Sequence, residues 1–414
     1  MKSKNNIITL LILILIYEIA LVIFKLDGLT ISKIIFTCFI WISAVMGISE
    51  FLKNYTTIKK NIPQFLFKIL ILLIFWNFIA IIKGFYTIGG IGSLLGNRFN
   101  TLALLAPFTI AFAFFPSNLF KMNHFIILLL KIFIPLSFFY LIFNLENSGV
   151  VYLIVLKSIL LAVTFVITTY HFQLKTNKKF ILISTVLLSL ISYFLSDRTM
   201  IIRIFLLLIA LISMTHYIKH NSKWVLNVLF ILIFIPGILI QNSITNNKSV
   251  ITRLMSGVLD EELSTDTRTF LYTEVYTDLK KTNNFIAGKG ANGTYFSDYF
   301  YETQEDTSNR LSVEVGVLSI MLKSGLIGVI LYLLILFSAI YFSFFKSNNY
   351  YVIGIGMMLL MYTIILFIEN SVGYSLSNIF VWFFIGIALS KEMRSKSNKE
   401  IFNLLNFNQK STYV

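Results

Sequence analysis

Arginine and lysine are used unequally in this 414-residue chain, seven against twenty-seven. A chain that otherwise favours lysine keeps arginine where a flat, permanently charged, bidentate donor is useful. Once the apolar runs are drawn as membrane spans, Arg98, Arg198, Arg203, Arg253, Arg268 and Arg310 fall at or near one face, and Arg394 falls with the lysines at the other. Phosphate and carboxylate are the usual partners of such a cluster. The pattern predicts an outward-facing anion site whose donors are drawn from Arg98, Arg198, Arg203, Arg268 and Arg310.

Two members stand out by position. Ser196-Asp197-Arg198-Thr199 joins two apolar runs with almost no loop, so Arg198 either caps a helix end beside Asp197 or faces a ligand. Arg203 lies five residues on, about 7.5 Å deeper at the α-helical rise. A guanidinium at that depth must snorkel or find an anion. Glu314 is the acid closest to the same chemistry. Leu311, Val315, Leu318 and Leu322 repeat at helical spacing and predict a helix approaching the membrane from outside, with Glu314 beside the stripe and Arg310 one turn above it. Burial there would raise the carboxyl pKa and the nearby guanidinium would lower it. Glu314 therefore either pairs with Arg310 or takes a proton.

The elements that must position these residues are apolar helices. Hydrophobic residues make up 57% of the chain and charged residues 13%, more apolar than a soluble core requires. Runs long enough to approach ~30 Å of hydrocarbon occur near 7–24, 34–52, 65–82, 101–115, 125–143, 150–170, 180–195, 199–217, 224–240, 325–345, 350–368 and 375–390, the fourth and seventh being short. The expected fold is an all-α polytopic membrane protein of about twelve transmembrane helices. Residues 1–240 hold nine of them, 241–311 form one large extracytoplasmic loop with short helices, 312–390 hold a re-entrant or juxtamembrane helix and three more spans, and 391–414 form a cytoplasmic tail.

Lys2, Lys4, Lys53, Lys59, Lys60, Lys121, Lys175, Lys178, Lys179, Lys219, Lys223 and Lys346, with the basic tail, fall on alternate connections. The positive-inside rule then puts both termini in the cytoplasm. The net charge of +15 reads as topological signal, and no nucleic-acid partner is expected. The first run resembles a signal peptide, but it contains Glu18 and has no small-x-small cleavage site, so it reads as a retained span. Cys38 is a lone cysteine inside the second run, and His124, His171, His216 and His220 all sit at expected cytoplasmic ends. Neither a disulfide framework, nor a metal site, nor a cofactor is expected.

The large loop carries ten of the nineteen acidic residues, and loops this long are usually functional. Ile251, Leu254, Met255 and Val258 form one helical pattern; Leu271, Val275 and Leu279 form another, with Asp266 as a candidate N-cap. Both helices are expected to lie on the membrane and roof the spans. Next comes Gly288-Lys289-Gly290-Ala291-Asn292-Gly293, which either presents backbone N–H groups to a phosphate or makes tight turns. Tyr295 to Glu302 is rich in tyrosines and acids, suited to sugar rings or to an interfacial aromatic belt.

The order of these features resembles the O-antigen polymerase and ligase superfamily. The resemblance rests on "SDRTM" opening a span, a large outer loop carrying "TDTRTFLYTEVYTDLKKTNNFIAGKG", and "VEVGVLSIMLKSGLIGVILYLLIL" leading into the next span. It is architectural over the chain and motif-level over roughly 190–340. It implies a GT-C-like membrane glycosyltransferase in the bacterial cytoplasmic membrane, acting at its outer face on undecaprenyl-pyrophosphate-linked glycans. A chain-length regulator and a flippase are the protein partners it would suggest. Arg198 and Arg268 match arginines the family directs at the pyrophosphate, and with Glu314 as a base they form the expected catalytic set. Ligases of the superfamily resemble one another in a His-Asn pair about eleven residues before the Gly-Leu-Ile-Gly segment; counting back from Gly325 reaches Glu314, and the outer loop holds no histidine. The resemblance thus favours a polymerase over a ligase. A transporter of lipid-linked oligosaccharide would be expected to spread polar residues through both halves of the bundle.

Overall fold

The computed structural model describes residues 6–23, 31–86, 95–142, 160–194, 198–234, 269–298 and 309–405. The first helices are α1 (Asn6–Ile23), α2 (Ile31–Lys53), α3 (Tyr55–Asn61) and α4 (Gln64–Phe85). They are followed by α5 (Thr101–Leu105), which continues as a 3₁₀ helix over Ala106–Phe114, then α6 (Pro116–Ile142) and α7 (160–168). Next are α8 (Lys175–Phe194), α9 (Arg198–His220) and α10 (Lys223–Ile231), and, past the segment outside the description, α11 (Thr269–Lys281). The chain closes with α12 (Gly316–Phe345), α13 (Tyr350–Leu366), α14 (Leu376–Leu389), α15 (Lys391–Ser395) and α16 (Asn398–Leu405).

This is an all-α membrane protein. Five described helices are long and apolar enough to cross a bilayer: Ile34–Lys53, Gln64–Phe85, Pro116–Pro135, Ile202–His220 and Gly316–Phe345. On α4 the reason for the composition is visible. Leu66, Leu70, Leu73, Asn77, Ala80 and Gly84 make a buried stripe at helical spacing, while Leu72, Phe75, Ile79, Ile82 and Phe85 make an exposed one. A soluble protein would make the second stripe polar; an apolar face of this length suits lipid. Asn77 is the polar member of the inner stripe, and its amide donates to Leu104 O at 2.8 Å.

At the centre lie α13, α14 and the 101–114 segment, apolar on every side and almost entirely buried. Gly386 of α14 meets Ala113 and Ile110 so closely that a Cβ would overlap them. The nine-residue 3₁₀ run is unusually long. At ~2.0 Å per residue instead of ~1.5 Å, it stretches the 101–114 segment to about 26 Å, so a run that reads as short still reaches deep into the bundle.

The expected break at Ser324-Gly325 is present: Gly325 has φ 67° and interrupts α12. The glycine-rich loop fills the gap. Lys289 N and Gly290 N donate to Leu322 O and Lys323 O at 2.7 and 3.0 Å, while Leu326 N and Ile327 N beyond the break donate to Phe285 O and Ile286 O at 3.0 and 3.3 Å. Gly288 N and Ala291 N are bonded to Asn284 O and Ala80 O, both at 2.8 Å. These N–H groups are spent on the protein's own carbonyls, so the loop is a backbone plug and not a phosphate cradle. Lysines pin it: Lys83 Nζ donates to Asn284 Oδ1 at 2.7 Å and to Gly288 O, and Lys289 Nζ donates to Thr294 O at 2.9 Å and pairs with Asp278. Lys323 is buried at 2% exposure, 3.2 Å from Asn100 Oδ1. The separation of lysine from arginine is therefore incomplete, because these three lysines hold structure at the arginine end.

Two expected helices read differently. Leu271, Val275 and Leu279 are buried on α11 as their spacing predicts, whereas the Ile251–Val258 pattern and Asp266 lie outside the described residues. The helix expected from Leu311 begins instead at Gly316. Asn309–Arg310 is extended and pairs antiparallel with Tyr295–Phe296, Val313 O accepts from Asn370 Nδ2 at 2.8 Å, and Gly316 N donates to Glu369 O at 3.3 Å. These long-range bonds hold 309–315 out of the helix that local periodicity favours.

The described part of the tail, 391–405, contains two helices that pack back on the bundle. Asn349 Nδ2 donates to Met393 O and Lys396 O at 3.0 and 2.9 Å. Arg394 is buried, 4.6 Å from the centre of the Phe342 ring, and donates to Lys346 O at 3.2 Å.

Candidate anion site at one end of the bundle

The turn at 98–100 before α5, the first turns of α9 and the α13–α14 connection meet around a cavity of about 230 Å³. Arg98 and Phe99 come from the turn, Arg203 from α9, Tyr362 from α13, Glu369, Asn370 and Ser371 from the connection, and Ser375 and Ser377 from the start of α14. Drug-sized pockets run to about 300–1,000 Å³, so this one suits a headgroup better than a whole glycan. Among the described lining residues, two guanidinium groups and one carboxylate give a net charge of +1.

Each wall is held by bonds from a distant part of the chain. Tyr374 N donates to Arg98 O at 2.9 Å, which joins the 98–100 turn to the α13–α14 connection. Phe99 lies against Gly373, where a Cβ would overlap the ring, and Arg98 stacks over the same ring at 4.9 Å. Glu18, buried on α1, accepts from Leu376 N at 3.0 Å and so satisfies an N–H that the first turn of α14 leaves open. Asn370 Oδ1 accepts from Val372 N at 3.1 Å, and Asn378 Nδ2 donates to Val372 O at 3.0 Å. From the loop side, Tyr272 of α11 donates its hydroxyl to Phe367 O at 2.6 Å. Burial raises that hydroxyl's pKa well above its usual value, so it stays protonated and remains a donor.

Arg203 and Glu369 are the electrostatic centre. Arg203 Nη2 lies 2.9 Å from Glu369 Oε2, with the side chains 13% and 8% exposed. Arg203 Nε is buried with no hydrogen-bond partner. A guanidinium offers five donor hydrogens in a planar fork; the contact with Glu369 engages one nitrogen and leaves capacity for a second anion.

The structure brings two of the predicted residues together. Arg98 and Arg203 line one cavity. Arg198 opens α9 five residues before Arg203, but its side chain is not among those described, and Arg253 and Arg268 lie outside the described residues. Arg310 and Glu314 are elsewhere: they face each other at 4.0 Å with side chains 24% and 47% exposed, and neither lines the cavity. The deep, helical setting expected for Glu314 is absent, because the residue precedes α12 in a bend with its side chain 47% exposed. It belongs instead with Tyr295, whose hydroxyl burial pushes up to about 12 while Arg310 draws it down, and near Glu274, which accepts from Ser297 at 2.7 Å.

Sequence reasoning passed over Glu369, Phe99 and the serines at the start of α14. The signal for Glu369 was present, since it is the acid of the short 367–375 connection on the same face as an arginine placed too deep to be unpaired. Among the described residues, no group of three His, Cys, Asp or Glu is placed to hold a metal ion. No protein-family model matches the chain, and no curated protein matches its sequence.

Proposed function

We propose that the protein polymerises undecaprenyl-pyrophosphate-linked oligosaccharide repeats into a surface polysaccharide, by glycosyl transfer at the outer face of the bacterial cytoplasmic membrane. The observation that carries this reading is the headgroup-sized cavity in which Arg98 and Arg203 converge at one end of an apolar bundle. The order of the "SDRTM", "TDTRTFLYTEV" and "VEVGVLSIMLKSGLIG" segments supports it, as does the lack of histidine in the 241–311 loop, which argues against a ligase. In this reading the twelve apolar runs are twelve spans, both termini are cytoplasmic, and the cavity opens outward. A transporter is disfavoured because the charged residues of the cavity gather at one end, with Arg203 only five residues inside α9, and not midway along the helices.

The growing glycan on one lipid pyrophosphate is the donor. A hydroxyl of a single lipid-linked repeat attacks its anomeric carbon, the bond from that carbon to the pyrophosphate oxygen breaks, and the lipid pyrophosphate departs with the electron pair. Arg98 and Arg203, with Arg198 and Arg268 as further candidates, stabilise the charge that develops on it, as fixed donors do at any developing oxyanion. Deletion of the gene in its host tests the reading. The expected result is loss of long polysaccharide with accumulation of single lipid-linked repeats; polysaccharide of normal length in the deletion strain would refute it.

A further inference from the structure

An anion cavity that already contains an acid must move that acid aside or use it. Glu369 is anchored through its backbone, its amide donating to Ile365 O at 2.8 Å and its carbonyl accepting from Gly316 N at 3.3 Å. The carboxylate meets Arg203 through Nη2, and Arg203 Nε stays buried without a partner. Separating two desolvated charges is costly unless a replacement arrives. A diphosphate is such a replacement: it carries more charge than a carboxylate and accepts the guanidinium fork through two oxygens.

We infer that Arg203 and Glu369 form an exchange pair, in which an arriving lipid-linked diphosphate takes Arg203 and the carboxylate it displaces becomes the proton acceptor for the attacking hydroxyl. The inference rests on the glycosyl-transfer reading above and assigns Glu369 the role that spacing alone suggested for Glu314. As the acceptor oxygen bonds to the anomeric carbon, its proton passes to Glu369, and the electron pair of the broken carbon–oxygen bond leaves on the diphosphate held by Arg98 and Arg203. A carboxylate in a desolvated cavity that loses a neighbouring cation becomes a stronger proton acceptor. Donor binding thereby arms the base. Glu314 lies outside the cavity and is 47% exposed.

The exchange makes binding and turnover respond to one substitution with opposite signs. Glu369→Gln keeps the shape but removes the competing charge. Its affinity for farnesyl diphosphate, measured on detergent-purified protein, is expected to rise roughly tenfold. Polymer formation by the same variant is expected to fall at least about 100-fold, the range of a lost base. Glu369→Asp, with a shorter carboxylate, is expected to bind farnesyl diphosphate at least as tightly as wild type and to make more polymer than Glu369→Gln. Weaker binding than wild type in either variant, at native abundance in the membrane, overturns the exchange and leaves the polymerase reading standing. A wild-type protein that makes polymer yet binds no farnesyl diphosphate overturns the exchange too, whereas one that makes none overturns both.

Discussion

Arg203→Lys is expected to lower the rate of polymer formation about 100- to 1,000-fold, the usual effect of removing one donor from a developing oxyanion. Lysine at this position keeps a positive charge and can still meet Glu369, but it is a point charge on a flexible stem and has no planar fork. The arginine's advantage here is spare capacity: one nitrogen is engaged at 2.9 Å, and Nε is buried without a partner. Ion-pair loss alone would act on stability, so abundance in the membrane should stay near wild type while the polysaccharide ladder collapses. Arg310→Lys is the matched comparison, since Arg310 lies outside the cavity and meets Glu314 only at 4.0 Å, where exposed pairs contribute up to about 1 kcal/mol. It should leave chain length nearly unchanged. A wild-type ladder from Arg203→Lys would mean that bidentate recognition at this residue is not used.

Gly325→Ala is expected to destabilise the protein by about 3 kcal/mol or more, because two penalties act together. An L-residue with a side chain at φ 67° costs roughly 1–2 kcal/mol. The new Cβ would also overlap the Ile286 carbonyl, which cannot retreat without breaking its bond from Ile327 N. The expected readout is loss of the variant from the membrane, or a large drop in its melting temperature in detergent. Gly96→Ala is the control: a Cβ there meets nothing within 4 Å, and the change should stay within about 0.5 kcal/mol. A stable Gly325→Ala protein would show that the glycine loop is not wedged into α12 as described.

The two predictions mark what was and was not legible beforehand. Long apolar runs read well, since lipid on one side and protein on the other make every face of a helix such as α4 hydrophobic. Ser324-Gly325 read correctly as a break because glycine before a resumed apolar run has few other uses, and Leu271, Val275 and Leu279 read correctly because α11 buries one stripe. Failures came where distant bonds overrule local pattern. The stripe from Leu311 has helical spacing, yet strand pairing of Arg310 with Tyr295 and the bonds at Val313 O and Gly316 N hold that stretch out of a helix. Nothing local reveals that Lys289 N and Gly290 N serve carbonyls more than thirty residues away. For the site, residue type and position single out Arg98 and Arg203 as candidates, and the structure places both on one cavity. Glu369 is not legible locally, because what distinguishes it is the 2.9 Å approach of a residue on another helix, while Arg310 and Glu314, neighbours at helical spacing, meet only at 4.0 Å and lie outside the cavity.

The most direct measurement gives purified protein in lipid vesicles one substrate, undecaprenyl-pyrophosphate-linked repeat units, with no nucleotide sugar present. If Arg98 and Arg203 hold the leaving pyrophosphate of a glycosyl transfer, the product is a ladder of longer glycans with one free undecaprenyl pyrophosphate released for each bond formed, and Arg203→Lys protein gives neither. Repeats recovered unchanged from the wild-type protein, or moved across the bilayer without a new glycosidic bond, would contradict it.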